Sequence, residues 1–188
     1  LEGQDVTGLD SAERSHRGIG RSYQRTNIFP QFTVLENCRL AAQSRRPRPW
    51  RIFTDAMKTR DTVERARAAI VEAGLGGREQ RKAGLLSHGE QRQLEIAMVL
   101  ATDARVLLLD EPLAGMGSEE SAQMVELLRE LKQNRAILLV EHDMDAVFAV
   151  ADTITVMVEG SVLESGPPEQ IRNSEEVQAA YLGEEEHG

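Results

Sequence analysis

The chain has 188 residues, 40% of them hydrophobic and 28% charged, with a formal net charge of −9. This suits one soluble globular domain with an aliphatic core, since only four Phe, two Tyr and one Trp are present. The acidic balance argues against a nucleic-acid binder, the single cysteine excludes an internal disulfide framework, and no apolar run reaches the roughly 18–20 residues that a bilayer-spanning helix needs.

Leu1-Glu2-Gly3-Gln4-Asp5 is acidic and polar, with no initiator Met and no signal peptide, so the chain reads as starting inside a larger protein. Residues 1–30 are mixed, with Gly3, Gly8, Gly18 and Gly20 marking turns. Residues 33–101 read as mainly helical. Arg45, Arg46, Arg48 and Arg51 make a local basic patch beside Trp50 and Phe53. Two readings of that stretch stay open: a solvated loop with a small apolar anchor, and a partner site. Asp61-Thr62-Val63-Glu64 has the spacing of a capping box. Val63, Ala66, Ala69, Ile70 and Ala73 then recur at helical intervals, and Gly74 is a good terminator. A second helix is predicted from Ser87, with Leu94, Ala97, Met98 and Ala101 on one face.

The pattern then changes. Val106-Leu107-Leu108-Leu109 is a short apolar run ending in Asp110-Glu111-Pro112, and Ala136-Ile137-Leu138-Leu139-Val140 is another, ending in Glu141-His142-Asp143. Between them Met124, Leu127, Leu128 and Leu131 lie at i, i+3, i+4 and i+7. Strand, amphipathic helix, strand follows, and apolar runs without alternation predict parallel strands buried on both faces. Ile154–Val158 and Val162–Glu164, joined through Glu159-Gly160-Ser161, read as a hairpin. The tail from Ser174 reads as one short helix ending near Gly183. Ligands of open parallel sheets bind beyond the C-terminal strand ends, where both apolar runs place acidic or histidine residues.

Apolar residues followed by Asp110-Glu111 match the Walker B pattern. Such an Asp can hold Mg²⁺, and the next carboxylate can reach the water that attacks a γ-phosphate. Alone, the same residues are equally a strand running into a solvated acidic turn. Leu86-Ser87-His88-Gly89-Glu90-Gln91 resembles the ABC signature, in which a Ser hydroxyl and Gly N–H groups at a helix N-terminus form an anion site. Alone, Ser87 and Glu90 are a plain capping box. The signature and Walker B together, about 20 residues apart, decide between these readings. His142 resembles the switch histidine, and Gln24 in Gly20-Arg21-Ser22-Tyr23-Gln24 the Q-loop, supported by Asn27-Ile28-Phe29-Pro30 and Phe32–Asn37.

On these motifs the chain resembles an ABC transporter ATP-binding subunit. Asn27–Asn37 and the ending Glu169-Gln170-Ile171-Arg172 through Val177–Gly183 are similar to the branched-chain amino acid uptake branch. The resemblance implies an α/β fold: a P-loop NTPase-like (RecA-like), mostly parallel sheet, incomplete, with an inserted α-helical subdomain. It implies core parts at 1–30 and 102–188 and a helical subdomain at 31–101. It implies ATP and Mg²⁺ as cofactors, with Glu111, His142 and Gln24 in catalysis and Asp110 and Gln24 at the metal. Ser87, His88, Gly89, Glu90 and Gln24 would bind nucleotide, the signature group touching the γ-phosphate held by an opposite subunit. Implied partners are a second ATPase subunit (homo- or heterodimer), a membrane permease met through residues 24–60 and, indirectly, a periplasmic solute-binding protein, with no nucleic acid. The implied location is cytoplasmic, peripheral on the inner face of the cell membrane.

His88, Glu90 and Gly117 depart from the family pattern, the last in the D-loop. No Gly-x-x-x-x-Gly-Lys-Ser/Thr run occurs in the 188 residues. The family places that loop upstream of residue 1, so these residues alone are expected not to hydrolyse ATP. Two other classes stay open from sequence: a soluble ABC ATPase of repair or translation, and a non-catalytic interaction module.

Overall fold

The computed structural model describes residues 1–23, 27–44 and 60–185. Its first element, helix α1 (Ser11–His16), lies within the stretch read as turns. Asp10 caps it: its side chain accepts from the Glu13 N–H at 2.8 Å, and Glu13 accepts in return from the Asp10 N–H at 2.9 Å. Strand β1 (Ile19–Arg21) follows.

Three helices come next: α2 (Val34–Ser44), α3 (Arg60–Glu72) and α4 (His88–Ala101). They pack on one another through Val34, Leu35, Cys38, Ala66, Ala69, Ile70, Leu94 and Ala97, all buried. Asp61 is not a cap, because α3 already includes Arg60. It sits in the first turn and pairs instead with Arg65 at 3.3 Å, an i, i+4 ion pair. Gly74 ends the helical stretch as expected, at φ +78. On α4 the buried face takes Leu94, Ala97 and Ala101 with Ile96 and Leu100, while Met98 is only partly buried.

Strand β2 (Val106–Asp110), helix α5 (Ser118–Leu131) and strand β3 (Ala136–Val140) form the strand, helix, strand unit read from the sequence. Met124, Leu127, Leu128 and Leu131 are all buried on α5. The sheet is parallel, in the order β1-β2-β3. Its register pairs Gly20 with Leu107 and Asp110 with Val140. Helix α4 lies tight on β1, since a Cβ on Gly20 would stand 2.3 Å from Val99. The expectation of strands buried on both faces fails at β3. Leu138 is 61% and Val140 54% exposed, whereas Leu107 and Leu109 of β2 are buried. One face of this sheet is covered and the other is open. Arg135 ties the sheet to the helices by two hydrogen bonds to the Glu72 carboxylate, at 2.5 and 3.1 Å.

Residues 1–141 form one compact unit and residues 142–188 another. In the second, helix α6 (Met144–Val150) precedes the antiparallel hairpin β4 (Ile154–Val158) and β5 (Ser161–Gly166). Glu159 and Gly160 turn it at φ +49 and +78, as a tight primed turn requires. Helices α7 (Pro168–Arg172) and α8 (Glu175–Glu185) complete the unit, α8 running two residues past Gly183. Ile154, Ile171 and Val177 are its core, and the Arg172 guanidinium lies 4.5 Å over the Phe148 ring.

Candidate functional site

The first group of candidate residues sits at the C-terminal edge of the parallel sheet. Asp110 ends β2, and its carboxylate faces the Arg21 guanidinium of β1 at 3.8 Å. Glu111 follows at φ +47, a left-handed conformation rare for a residue with a Cβ. The Glu111 N–H donates to the Val140 carbonyl at 2.9 Å, so pairing with β3 continues through this strained residue. Glu141, one residue past β3, accepts from the Leu113 N–H at 2.8 Å and holds the turn after Pro112. His142 is exposed and opens the second unit. Gln24 lies outside the described residues.

The second group is built on the N-terminus of α4. Ser87 is its N-cap and is exposed. The Ser87 Oγ accepts from the Glu90 N–H at 3.2 Å, and Glu90 accepts from the Ser87 N–H at 2.9 Å, which completes the capping box. Glu90 is also held by Arg78 at 3.0 Å and Arg81 at 3.8 Å. Burial pushes its carboxyl up, but the Ser87 N–H and the two guanidiniums outweigh that and hold it below the ordinary value. The negative charge that Glu90 brings to this helix start is therefore compensated locally.

His88 turns toward the loop after Pro112. Its Nε2 lies 3.0 Å from the Ala114 carbonyl, which can only accept, so Nε2 carries the proton. Gly115, at φ +75, leaves room for that ring: a Cβ there would stand 3.2 Å from Nε2. Gly117 is the N-cap of α5 with open space around it, so the missing D-loop side chain would fit.

Glu120 was not legible in the sequence as a partner of Ser87. The Ser87 hydroxyl donates to its carboxylate at 2.8 Å, across 33 residues of chain. A Cβ on Gly89 would stand 2.7 Å from the Glu120 carboxyl carbon, so the close approach depends on glycine. Ser87, Gly89, Glu90, Gln93, Glu120, Gln123 and Met124 line a shallow pocket here. Only an acidic first turn on α5 was visible beforehand, and that favours any helix start.

A third feature is an apolar surface beside the Q-loop stretch. Phe29 and Phe32 stack with centroids 5.4 Å apart, and both are exposed. Buried Asn37 fixes the Phe29 backbone: its Oδ1 accepts from the Phe29 N–H at 2.8 Å and its Nδ2 donates to the Phe29 carbonyl at 3.1 Å. The Gly84 N–H donates to the Pro30 carbonyl at 2.9 Å, which ties the turn that carries exposed Leu85 to this loop. The Arg-rich stretch with Trp50 and Phe53 lies outside the described residues.

Comparison with known proteins shows the family. The sequence model described as ABC transporter matches residues 1–114. The chain is 37% identical to the high-affinity branched-chain amino acid transport ATP-binding protein LivG of Escherichia coli, over 98% of this chain and 75% of that one. The chain belongs to the ABC transporter ATP-binding family. Within it, a model for the branched-chain amino acid ATP-binding cassette transporter matches residues 161–187. BraF of Pseudomonas aeruginosa, of the same description as LivG, is 36% identical over 98% of this chain and 75% of its own. Among solved structures, the ADP conformation of the ATP-binding cassette MJ1267 superposes with a TM-score of 0.80 at 26% identity, covering 97% of this chain and 75% of that one. The α/β fold expected from the motifs is thus the fold of ABC ATPases.

Proposed function

We propose that this chain supplies the Walker B, signature and Q-loop parts of an ATP-hydrolysing subunit that powers a permease for branched-chain or related amino acids. The observation that carries the reading is the pairing, within one compact unit, of Asp110-Glu111 at a parallel strand end with an exposed Ser87 capping α4. The relatives named as branched-chain amino acid transport proteins support the solute class. The division proposed is a RecA-like core at 1–30 and 102–188, with a helical subdomain at 31–101.

The residues present suit ATP and Mg²⁺ in part. Asp110 offers a hard oxygen donor at the ligand-binding edge, and the described residues hold no group of three or more His, Cys, Asp or Glu that could bind a metal unaided. Asp110, Gln24 and nucleotide oxygens would together hold the cation. When bound, Mg²⁺ supplies charge neutralisation on the phosphates. Glu111 then orients the attacking water and takes its proton, and His142 contacts the γ-phosphate. Ser87, His88, Gly89 and Glu90 meet the γ-phosphate of the nucleotide on a second subunit, homo- or heterodimeric, in a head-to-tail sandwich. Phe29, Phe32 and Leu85 are exposed apolar residues on and beside the proposed permease-facing stretch, 24–60. The subunit would work on the inner face of the membrane, a periplasmic solute-binding protein delivering the solute to the permease.

The test is Glu111→Gln in the transporter reconstituted in vesicles. ATP turnover should fall about 100-fold or more while ATP still binds. Retained turnover would remove Glu111 from catalysis. For the 188 residues alone, which carry no phosphate-gripping loop, we expect no magnesium-dependent phosphate release.

A further inference from the structure

Arg92 and Glu95, on the signature helix α4, are the charged residues buried most deeply among the described residues, each only 6% exposed. The Arg92 Nη1 donates to Glu95 Oε2 at 2.9 Å. A buried pair of this kind adds little net stability over apolar residues of the same size, because desolvation offsets the attraction. Its partners show what it does instead. The same Arg92 Nη1 donates to the Tyr23 carbonyl at 3.1 Å, and Glu95 Oε1 accepts from the Asn27 N–H at 2.5 Å.

Tyr23 and Asn27 are the described residues on either side of Gln24-Arg25-Thr26. Tyr23 follows the sheet strand β1 and Asn27 precedes α2, and α4 holds the backbone of both. Before it, the Ser22 N–H donates to the Leu108 carbonyl of β2 at 2.9 Å. After it, Asn37 of α2 fixes Phe29. Ser87, the N-cap of α4, lies eight residues before Glu95, about 12 Å along a helix that rises about 1.5 Å per residue.

We propose that the Arg92–Glu95 pair is a positioning clamp for the Gln24 segment, built into the same rigid helix that presents Ser87. Neither residue touches nucleotide. The clamp rests on the Q-loop role proposed for Gln24. A displacement at the Ser87 end of α4 is carried to the flanks of Gln24 through these two backbone hydrogen bonds. A purely structural pair would be replaceable by apolar side chains without functional loss.

The experiment therefore uses the apolar double variant Arg92→Met with Glu95→Leu, which leaves no unpaired buried charge, and the neutral double variant Arg92→Met with Glu95→Gln, which also leaves none but keeps an acceptor for the Asn27 N–H. Hydrogen–deuterium exchange is followed on peptides spanning residues 22–29, and kcat and KM for ATP are measured in the reconstituted transporter. In the apolar variant, exchange in that stretch should speed up about tenfold, and kcat should fall about tenfold with KM within about twofold. Arg92→Met with Glu95→Gln, which restores the Asn27 contact alone, should recover part of both. A folded apolar variant with unchanged exchange and kcat overturns the clamp, as does the neutral variant Arg92→Met with Glu95→Gln being as impaired as the apolar one. Should neither variant fold, wild-type exchange decides: an Asn27 amide exchanging as fast as an exposed loop amide refutes it. If the wild-type transporter turns over no ATP, the proposed function fails, and the exchange result still judges the clamp.

Discussion

Single residues in this chain are set by partners distant in sequence. Cys38 is buried in the α2–α3–α4 cluster, and burial pushes its thiol up to about 12. We expect it to resist a thiol-reactive dye at pH 8 until the protein is unfolded, because the thiolate is the reacting form; prompt labelling of the native protein would contradict the packing. Glu120 is the second case. Its carboxylate sits on the Ser87 hydroxyl, where the proposed sandwich brings another anion. Glu120→Gln keeps the hydrogen-bond acceptor and removes the charge. The unfolding free energy should be nearly unchanged, within about 0.5 kcal/mol. The ATP concentration for half-maximal dimer closure should drop, by about fivefold if the relieved repulsion is near 1 kcal/mol. Titration of dimer formation by light scattering checks it.

At the scale of elements, the start of α4 is held by more than its cap. The sequence made Ser87 and Glu90 legible as a capping box, and the structure has both of its hydrogen bonds. Arg78 and Arg81 were not legible, because they come from the loop before the helix. Together these contacts hold the Glu90 carboxyl below its ordinary 4.5. The sign follows from linkage: a lowered folded-state value gives stability that is complete above the ordinary value and is lost as pH falls through the lowered one. Glu90→Gln removes that dependence. The stability gap between wild type and Glu90→Gln should be widest above pH 4.5 and close below it, as read by melting from pH 7 to 3. A gap independent of pH would mean that Glu90 acts through shape alone. The loss of the expected cap at Asp61 is the converse lesson. Its spacing was right, but α3 already includes Arg60, and an ion pair with Arg65 uses the side chain instead.

At the scale of the whole molecule, the parallel sheet departs from expectation on one face. The apolar run of β3 read as a strand covered on both sides, yet Leu138 and Val140 are more than half exposed. An apolar sheet face of this kind is an association surface. We expect the 188-residue chain to associate with rising concentration, and Leu138→Lys to suppress this while changing stability by no more than about 0.5 kcal/mol, since the side chain is exposed. Sedimentation velocity over a concentration series measures it, and equal association by the variant would place the contact elsewhere.

The sequence by itself determined the strand, helix, strand unit around α5, the cap of α4, the hairpin turn at Glu159-Gly160 and the motifs that point to the family. These are local signals: an unbroken apolar run, a period of 3.6 residues, a turn residue, a cap spacing. Helix α1 was also locally encoded, in Asp10 and Glu13, but the glycines around it drew the reading toward turns. Only the tertiary structure decided that Glu120 lies on Ser87, that Arg21 faces Asp110, that Arg92 and Glu95 grip Tyr23 and Asn27, and that one face of β3 is bare. Each of these depends on which elements pack side by side across long stretches of chain, and local periodicity records only that a face is apolar, not what covers it.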